Sequence, residues 1–194
     1  HYSASEVNQL LDKLRGHWMY VPVVLSVFYG LRRSEVLGLQ WESVDFENKS
    51  ITIQHTRIYG DSDGTDAVIE RKSSYRTLPI PETVWTLLHN LKMVRYGENP
   101  APNDACVCLN REGKPVAPNY FTQCFKQFLR DNDLREIRLH DLRHTCASVL
   151  IQNRVPLIEV QQWLGHSTLE TTADLYAHLE YETKLASAET LKKI

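Results

Sequence analysis

The apolar spacing of this chain changes period twice. Up to Trp41, and again from Pro81, hydrophobic residues recur three or four apart, as on one face of a helix. Between them the pattern is that of strands. Val44-Asp-Phe46, a turn at Glu47 to Ser50, and Ile51 to Ile58 read as a hairpin. A Gly- and Asp-rich loop covers Tyr59 to Asp66. Arg71 to Ile80 is a third strand, stopped by Pro79 and Pro81. The fold class that follows is α+β, mainly helical, with one small three-stranded antiparallel sheet.

Helix signals flank this sheet. Ser3-x-x-Glu6 has the form of a capping box, in which each side chain bonds the other's backbone N–H. Val7, Leu10, Leu11 and Leu14 follow, and Gly16 ends the segment. A buried helix is expected over His17 to Tyr29, a break at Gly30, and a short helix over Arg33 to Leu39. After Pro81, Val84, Leu87, Leu88 and Leu91 mark another helix. A loop at Glu98 to Asp104 and a strand end at Val107 to Leu109 follow. Further helices are expected over Pro118 to Asn132, His140 to Asn153, Pro156 to Leu164, Thr168 to Tyr176 and Glu182 to Lys193. There is no internal repeat and no low-complexity segment.

A length of 194 residues and 42% hydrophobic content suit one globular domain, residues 1–194. No apolar run approaches the roughly 20 residues that span a bilayer, and no signal-peptide pattern opens the chain. The first residue is not Met, so the chain is expected to begin inside a longer protein or after processing. Cys106, Cys108, Cys124 and Cys146 match no zinc spacing. They read as ordinary thiols of a reducing, cytoplasmic compartment. The net charge of -2 argues against a protein that simply coats nucleic acid. Charge is segregated, however. Asp61 to Asp66 and Glu180 to Glu182 are acidic, whereas Arg71 to Arg76 and Lys126 to Arg143 are rich in Arg and Lys. A local basic surface is enough to hold an anionic partner.

Several separated residues carry potential chemistry. In His140-Asp-Leu-Arg143-His144, His140 and Arg143 are three apart on a helix and share a face. Both can donate to one anionic group, and the planar Arg fork can bind two oxygens at once. A zinc site using His140 and His144 would want Glu after the first His, where this chain has Asp141, and no third ligand is evident. In Gly30-Leu-Arg32-Arg33-Ser-Glu35, a Gly turn lets an Arg approach a ligand closely, and Glu35 can orient Arg32 by an ion pair. Periodicity alone does not separate Arg32 from Arg33. Lys72 sits before a strand in Arg71-Lys-Ser-Ser-Tyr-Arg76, where the serines suggest a tight, mobile turn. A lysine is protonated at neutral pH and can give a proton to an alkoxide leaving group. His166 follows Gly165 at a helix end, and Tyr176 lies ten residues on. Each residue alone also fits a surface pair or a core position. Together they supply cations to spread transition-state charge, an oxygen nucleophile and an acid, which is what metal-free attack on a phosphodiester requires.

These motifs resemble the tyrosine recombinases, or phage integrase family. Gly30-Leu-Arg32-x-x-Glu35 is similar to that family's first arginine box. Lys72 resembles its β-turn lysine, and Leu139-His140-Asp-Leu-Arg143-His144-Thr145 its second box. Leu164-Gly165-His166 and Tyr176 resemble its last two positions. The resemblance runs from about Ser3 to Leu191 and favours Arg32 over Arg33. It implies a recombinase catalytic domain that cuts and rejoins double-stranded DNA, without the family's separate N-terminal DNA-clamping domain. Tyr176 would form a 3′-phosphotyrosyl bond and free a 5′-hydroxyl. Arg32 and Arg143 would hold the non-bridging oxygens. His140 and His166 would add hydrogen bonds, with His140 a possible acceptor of the Tyr176 proton. Lys72 would protonate the leaving oxygen, and Glu35 would support the arginines. No cofactor, metal or ATP is implied. The partners implied are DNA and, in a homotetramer, a neighbouring subunit that receives the last helix. A type IB topoisomerase and a non-catalytic DNA-binding module are the rival readings. The motif Leu164-Gly165-His166 favours recombination over the former, and the complete residue set argues against the latter.

Overall fold

A computed structural model describes residues 1–59 and 67–166, together with Ala173, Tyr176, Ala177, Tyr181 and Lys184. Of the loop expected over Tyr59 to Asp66, Tyr59 ends a strand and residues 60–66 lie outside the described residues. So do most of the helices expected over 168–176 and 182–193.

The first helix, α1 (Ala4–Leu14), begins as the sequence indicates. The Ser3 N–H donates to the Glu6 carboxylate, and the Glu6 N–H donates to the Ser3 hydroxyl. Val7, Leu10 and Leu14 face inward. Helix α2 (Tyr20–Tyr29) is apolar nearly all round and runs through the core against α1, α4 and α6. Pro22 falls in its first turn, where a missing N–H leaves no ladder bond unmade. Gly30 closes α2 in the left-handed region, at φ +58°. A Cβ there would also run into the Leu164 side chain. The short helix α3 (Arg33–Leu37) follows, then a 3-10 turn at Trp41–Ser43.

The sheet is a three-stranded antiparallel meander, β1 (Val44–Asp45), β2 (Ser50–Tyr59) and β3 (Ala67–Pro79). Gly38 holds α3 against it, because a Cβ at Gly38 would lie 2.7 Å from backbone atoms of Thr56 and Arg57. The β2–β3 ladder is interrupted. Pairing passes from Ile53↔Arg76 to His55↔Arg71, so β2 advances two residues while β3 advances five. Three extra residues of β3 therefore bulge out between Arg71 and Arg76. Lys72 and Tyr75 belong to this bulge. The tight turn expected around Lys72 is thus a correction: the residue lies within a strand, and the local distortion is a bulge rather than a chain reversal.

Four further helices complete the described chain: α4 (Glu82–Tyr96), α5 (Pro118–Asp131), α6 (Leu139–Gln152) and α7 (Leu157–Leu164). The segment around Val107 contributes isolated bridges, Gln40↔Cys106 and Leu109↔Pro115. One large core holds Leu10, Leu14, Leu25, Tyr29, Leu37, Ile51, Leu88, Phe121 and Phe125. A smaller cluster of Cys146, Ala147, Val160 and Leu164 seats α7 on α6. No described helix is long and apolar enough to cross a membrane. All four cysteines are free thiols.

Candidate active site

The site forms where the turn after α2, the β3 bulge, α6 and the end of α7 meet. Its centre is an anion. Glu35 is the third residue of α3, and its side chain is only 1% exposed. The Arg32 N–H donates to it at 3.0 Å, which fixes the carboxylate at the helix start. Arg32 Nη1 approaches the same group at 3.3 Å and Lys72 Nζ at 2.6 Å. Arg76 closes a two-armed bond, Nη1 to Oε1 and Nη2 to Oε2, both at 3.1 Å. Burial pushes the Glu35 carboxyl up. The Arg76 bonds and charge, then Lys72 and the Arg32 N–H, outweigh that and hold it at about 2. The expected Arg32–Glu35 pair is therefore present as one part of a larger cluster.

Arg32 and Arg33 part company at this point. Arg33 Nη1 turns to α5, donating to Thr122 Oγ1 at 2.8 Å and to Asn119 Oδ1 at 3.3 Å. Arg32 turns to the site and donates to the Gly165 carbonyl at 3.3 Å. Its side chain remains 42% exposed, leaving room for a ligand.

Arg143, on α6, is 2% exposed. Its Nη1 donates to the Gly30 carbonyl. Its Nη2 is buried and has no hydrogen-bond partner among the described residues. A buried guanidinium N–H without a partner is costly, and a bound anion would satisfy it. Burial and then repulsion from Arg32 lower the Arg143 pKa to about 10, so it stays charged at neutral pH.

The histidines are electrostatically distinct from ordinary surface imidazoles. Gly165 takes φ +68° after α7 and delivers His166 to the site. Burial, then Arg143, Arg32 and Arg76, lower the His166 pKa to about 4. His166 is thus neutral near pH 7. His140 is exposed on the first turn of α6 and meets His144 edge-on, with ring centroids 5.0 Å apart. Surrounding protein and then Arg143 lower its pKa as well, leaving it free to accept a proton. His140 and Arg143 do not present matching exposure: the first is exposed and the second buried. Among the described residues, no three His, Cys, Asp or Glu side chains converge as a metal site.

Arg32, Lys72 and His166 line one open cavity of about 560 Å³, with Tyr75, Arg76 and Gln161 among its other walls. Four cationic side chains, Arg32, Lys72, Arg76 and Arg143, surround one carboxylate. The excess of three positive charges suits an anionic ligand that gains charge during reaction. Tyr176 has helical backbone and a partly exposed side chain. Arg76 is the residue that sequence reasoning did not single out. It stood inside a basic segment, but ordinary strand alternation cannot place it when three extra residues intervene. Tyr75 and Gln161 carried no signal of their own.

A helical domain with one small antiparallel sheet and a cluster of cations around a buried carboxylate is the arrangement to set beside known proteins. The phage integrase family model matches residues 2–183, and the chain belongs to that family. A tyrosine recombinase XerC-like protein of Caldanaerobacter subterraneus subsp. tengcongensis is 29% identical over 210 residues, covering 100% of this chain and 54% of the relative. The ICEBs1 integrase of Bacillus subtilis is 29% identical over 154 residues, covering 77% and 42%. The chain thus spans about half the length of these curated relatives. Among solved structures, the Tn1549 transposon integrase in complex with circular intermediate DNA superposes with a TM-score of 0.79. It is 23% identical, with 98% of this chain and 66% of that chain covered.

Proposed function

We propose that this chain cleaves and rejoins strands of double-stranded DNA through a 3′-phosphotyrosyl intermediate, as in the integration, excision or transposition of mobile DNA. The observation that carries this reading is the pocket itself. Arg32, Lys72 and His166 open onto one cavity, and the buried Arg143, close enough to feel the charge of Arg32 and Glu35, has an Nη2 without a described partner.

The scissile phosphate sits with its non-bridging oxygens toward Arg32 and Arg143, and His166 donates a further hydrogen bond. The Tyr176 oxygen attacks phosphorus, and its proton passes to His140, whose lowered pKa leaves it unprotonated at neutral pH. The bond from phosphorus to the 5′ oxygen breaks, and Lys72 protonates that oxygen. One phosphodiester replaces another, so no external energy source enters. A 5′-hydroxyl from a partner strand reverses the steps. Residues 1–194 act as one catalytic domain in a cytoplasmic protein. On DNA it works as a homotetramer, and the segment Glu182 to Lys193 packs on a neighbouring subunit.

The test is covalent capture. A pool of nicked duplexes of random sequence is mixed with the wild-type chain and with Tyr176→Phe, then run on a denaturing gel. A protein–DNA adduct from the wild type alone is the expected result. An adduct from both proteins removes Tyr176 from its role. Relaxation of supercoiled plasmid without exchange between two sites would move the reading to a type IB topoisomerase.

A further inference from the structure

Arg76 takes no part in the transfer steps above, yet all three of its guanidinium nitrogens are engaged. It is only 10% exposed. Two of its nitrogens hold Glu35, and its Nε donates to the Trp163 carbonyl at 2.8 Å. It therefore joins α3 to the last turn of α7, directly before Gly165 and His166. The Gly165 turn is packed on it, since a Cβ at Gly165 would lie 2.6 Å from Arg76 Nη1.

The geometry of Lys72 makes this link matter. Lys72 Nζ rests on Glu35 at 2.6 Å. To reach a leaving oxygen it must give up that contact. A carboxylate that is 1% exposed resists losing its cations, because little water can replace them. Arg32 is drawn toward the same phosphate. Arg76 grips both Glu35 oxygens with its side-chain fork, which Arg32 does not, and a third bond tethers it to the Trp163 carbonyl.

We infer that Arg76 is a positioning residue of strand transfer. Its fork keeps Glu35 paired and the Gly165 turn in place, which frees Lys72 to leave Glu35 for the 5′ oxygen. This rests on the strand-transfer reading above. A plain structural staple between β3 and α7 is the rival.

Two measurements on wild type, Arg76→Gln and Arg76→Lys separate these. The first needs no DNA. The Glu35 carboxyl carbon, assigned with Glu35→Gln, is titrated by NMR. In Arg76→Gln its midpoint is expected to rise by about one pH unit or more, as on loss of a close opposite charge. In Arg76→Lys it should stay near wild type. The second is single-turnover adduct formation on nicked duplexes whose leaving atom is a 5′ oxygen or a 5′ sulfur. A thiolate leaves without being protonated, so the sulfur substrate bypasses Lys72. Arg76→Gln should slow the oxygen substrate by about 10², the scale of a misplaced catalytic group, and the sulfur substrate far less. Arg76→Lys keeps the charge but not the fork, and should show the same contrast more weakly. If Arg76→Gln does not fold, Arg76→Lys decides the contrast. An unmoved Glu35 midpoint in folded Arg76→Gln, or equal slowing of both substrates, overturns the inference in favour of the staple. If the wild type forms no adduct with either substrate, the strand-transfer reading fails and the release of Lys72 falls with it. The titration still decides whether Arg76 governs Glu35.

Discussion

The guanidinium of Arg143 donates to the carbonyl of Gly30, 113 residues earlier in the chain. That one bond ties the second helix box to the turn that begins the first. It also leaves the other terminal nitrogen of Arg143 buried and aimed at nothing among the described residues. Arg143→Ala should lower single-turnover cleavage by about 10²–10³, the usual result of deleting one oxyanion donor. Its urea midpoint should also fall, because the Gly30 carbonyl loses its donor, an effect of about 1–3 kcal/mol. Arg143→Lys, which keeps charge without the fork, should recover stability more than rate. Cleavage at wild-type speed by either variant would remove Arg143 from the phosphate.

Acid should weaken the fold in two stages. His166 has a folded pKa lowered from 6.5 to about 4, so the unfolded chain takes its proton first. Its contribution is complete above about pH 6.5 and is lost as pH falls toward 4. Glu35 is lowered from 4.5 to about 2, so its contribution is complete above about 4.5 and is lost on the way to 2. Urea midpoints measured against pH should show both declines. His166→Asn should flatten the upper one and Glu35→Gln the lower. A profile unchanged by either substitution would contradict the assignment.

Two glycines with nearly the same backbone should respond differently to alanine. Gly113 and Gly165 have φ +74° and +68°. A Cβ at Gly113 meets nothing within 4 Å, whereas one at Gly165 presses on Arg76. Each substitution carries the left-handed penalty of about 1–2 kcal/mol. Only Gly165→Ala should also reduce cleavage, by displacing Arg76 and His166. Thermal melts and adduct kinetics on the two variants check this, and equal activities would refute it.

Much of this was legible in the sequence, for identifiable reasons. Ser3 and Glu6 announced α1 because capping is local chemistry. Gly30 and Gly165 marked helix ends because few other residues tolerate positive φ. The β2 alternation at Ile51 and Ile53 gave the sheet, since that face is buried. What escaped was non-local. Arg76 is set by a bulge whose size depends on where β2 and β3 choose to pair. The Glu35 cluster joins residues 41 apart, and no spacing rule reaches that far. Arg32 and Arg33 could not be separated by period because the choice is made by Asn119 and Thr122 on a distant helix.

His166 should act as a reporter of occupancy. Its depressed pKa arises from burial and from three nearby arginines. A bound anion offsets those charges. In inorganic phosphate the NMR titration midpoint of His166 should therefore move upward. An unmoved His166 at saturating phosphate would mean that the anion sits elsewhere.

The three surplus residues of β3 have a consequence for how this sheet can change. Residues outside the bulge have their sides fixed by ladder pairing, so removing one residue between Arg71 and Arg76 would re-aim the residues left in the bulge, Lys72 among them. The hydrogen-bonded ladder on either side could still form, with a smaller bulge. Such a protein would keep its shape and melt normally while aiming Lys72 away from Glu35. Drift in this short stretch can thus dismantle the Glu35 cluster without leaving a trace in the architecture, so intact folding is poor testimony that the cluster is whole.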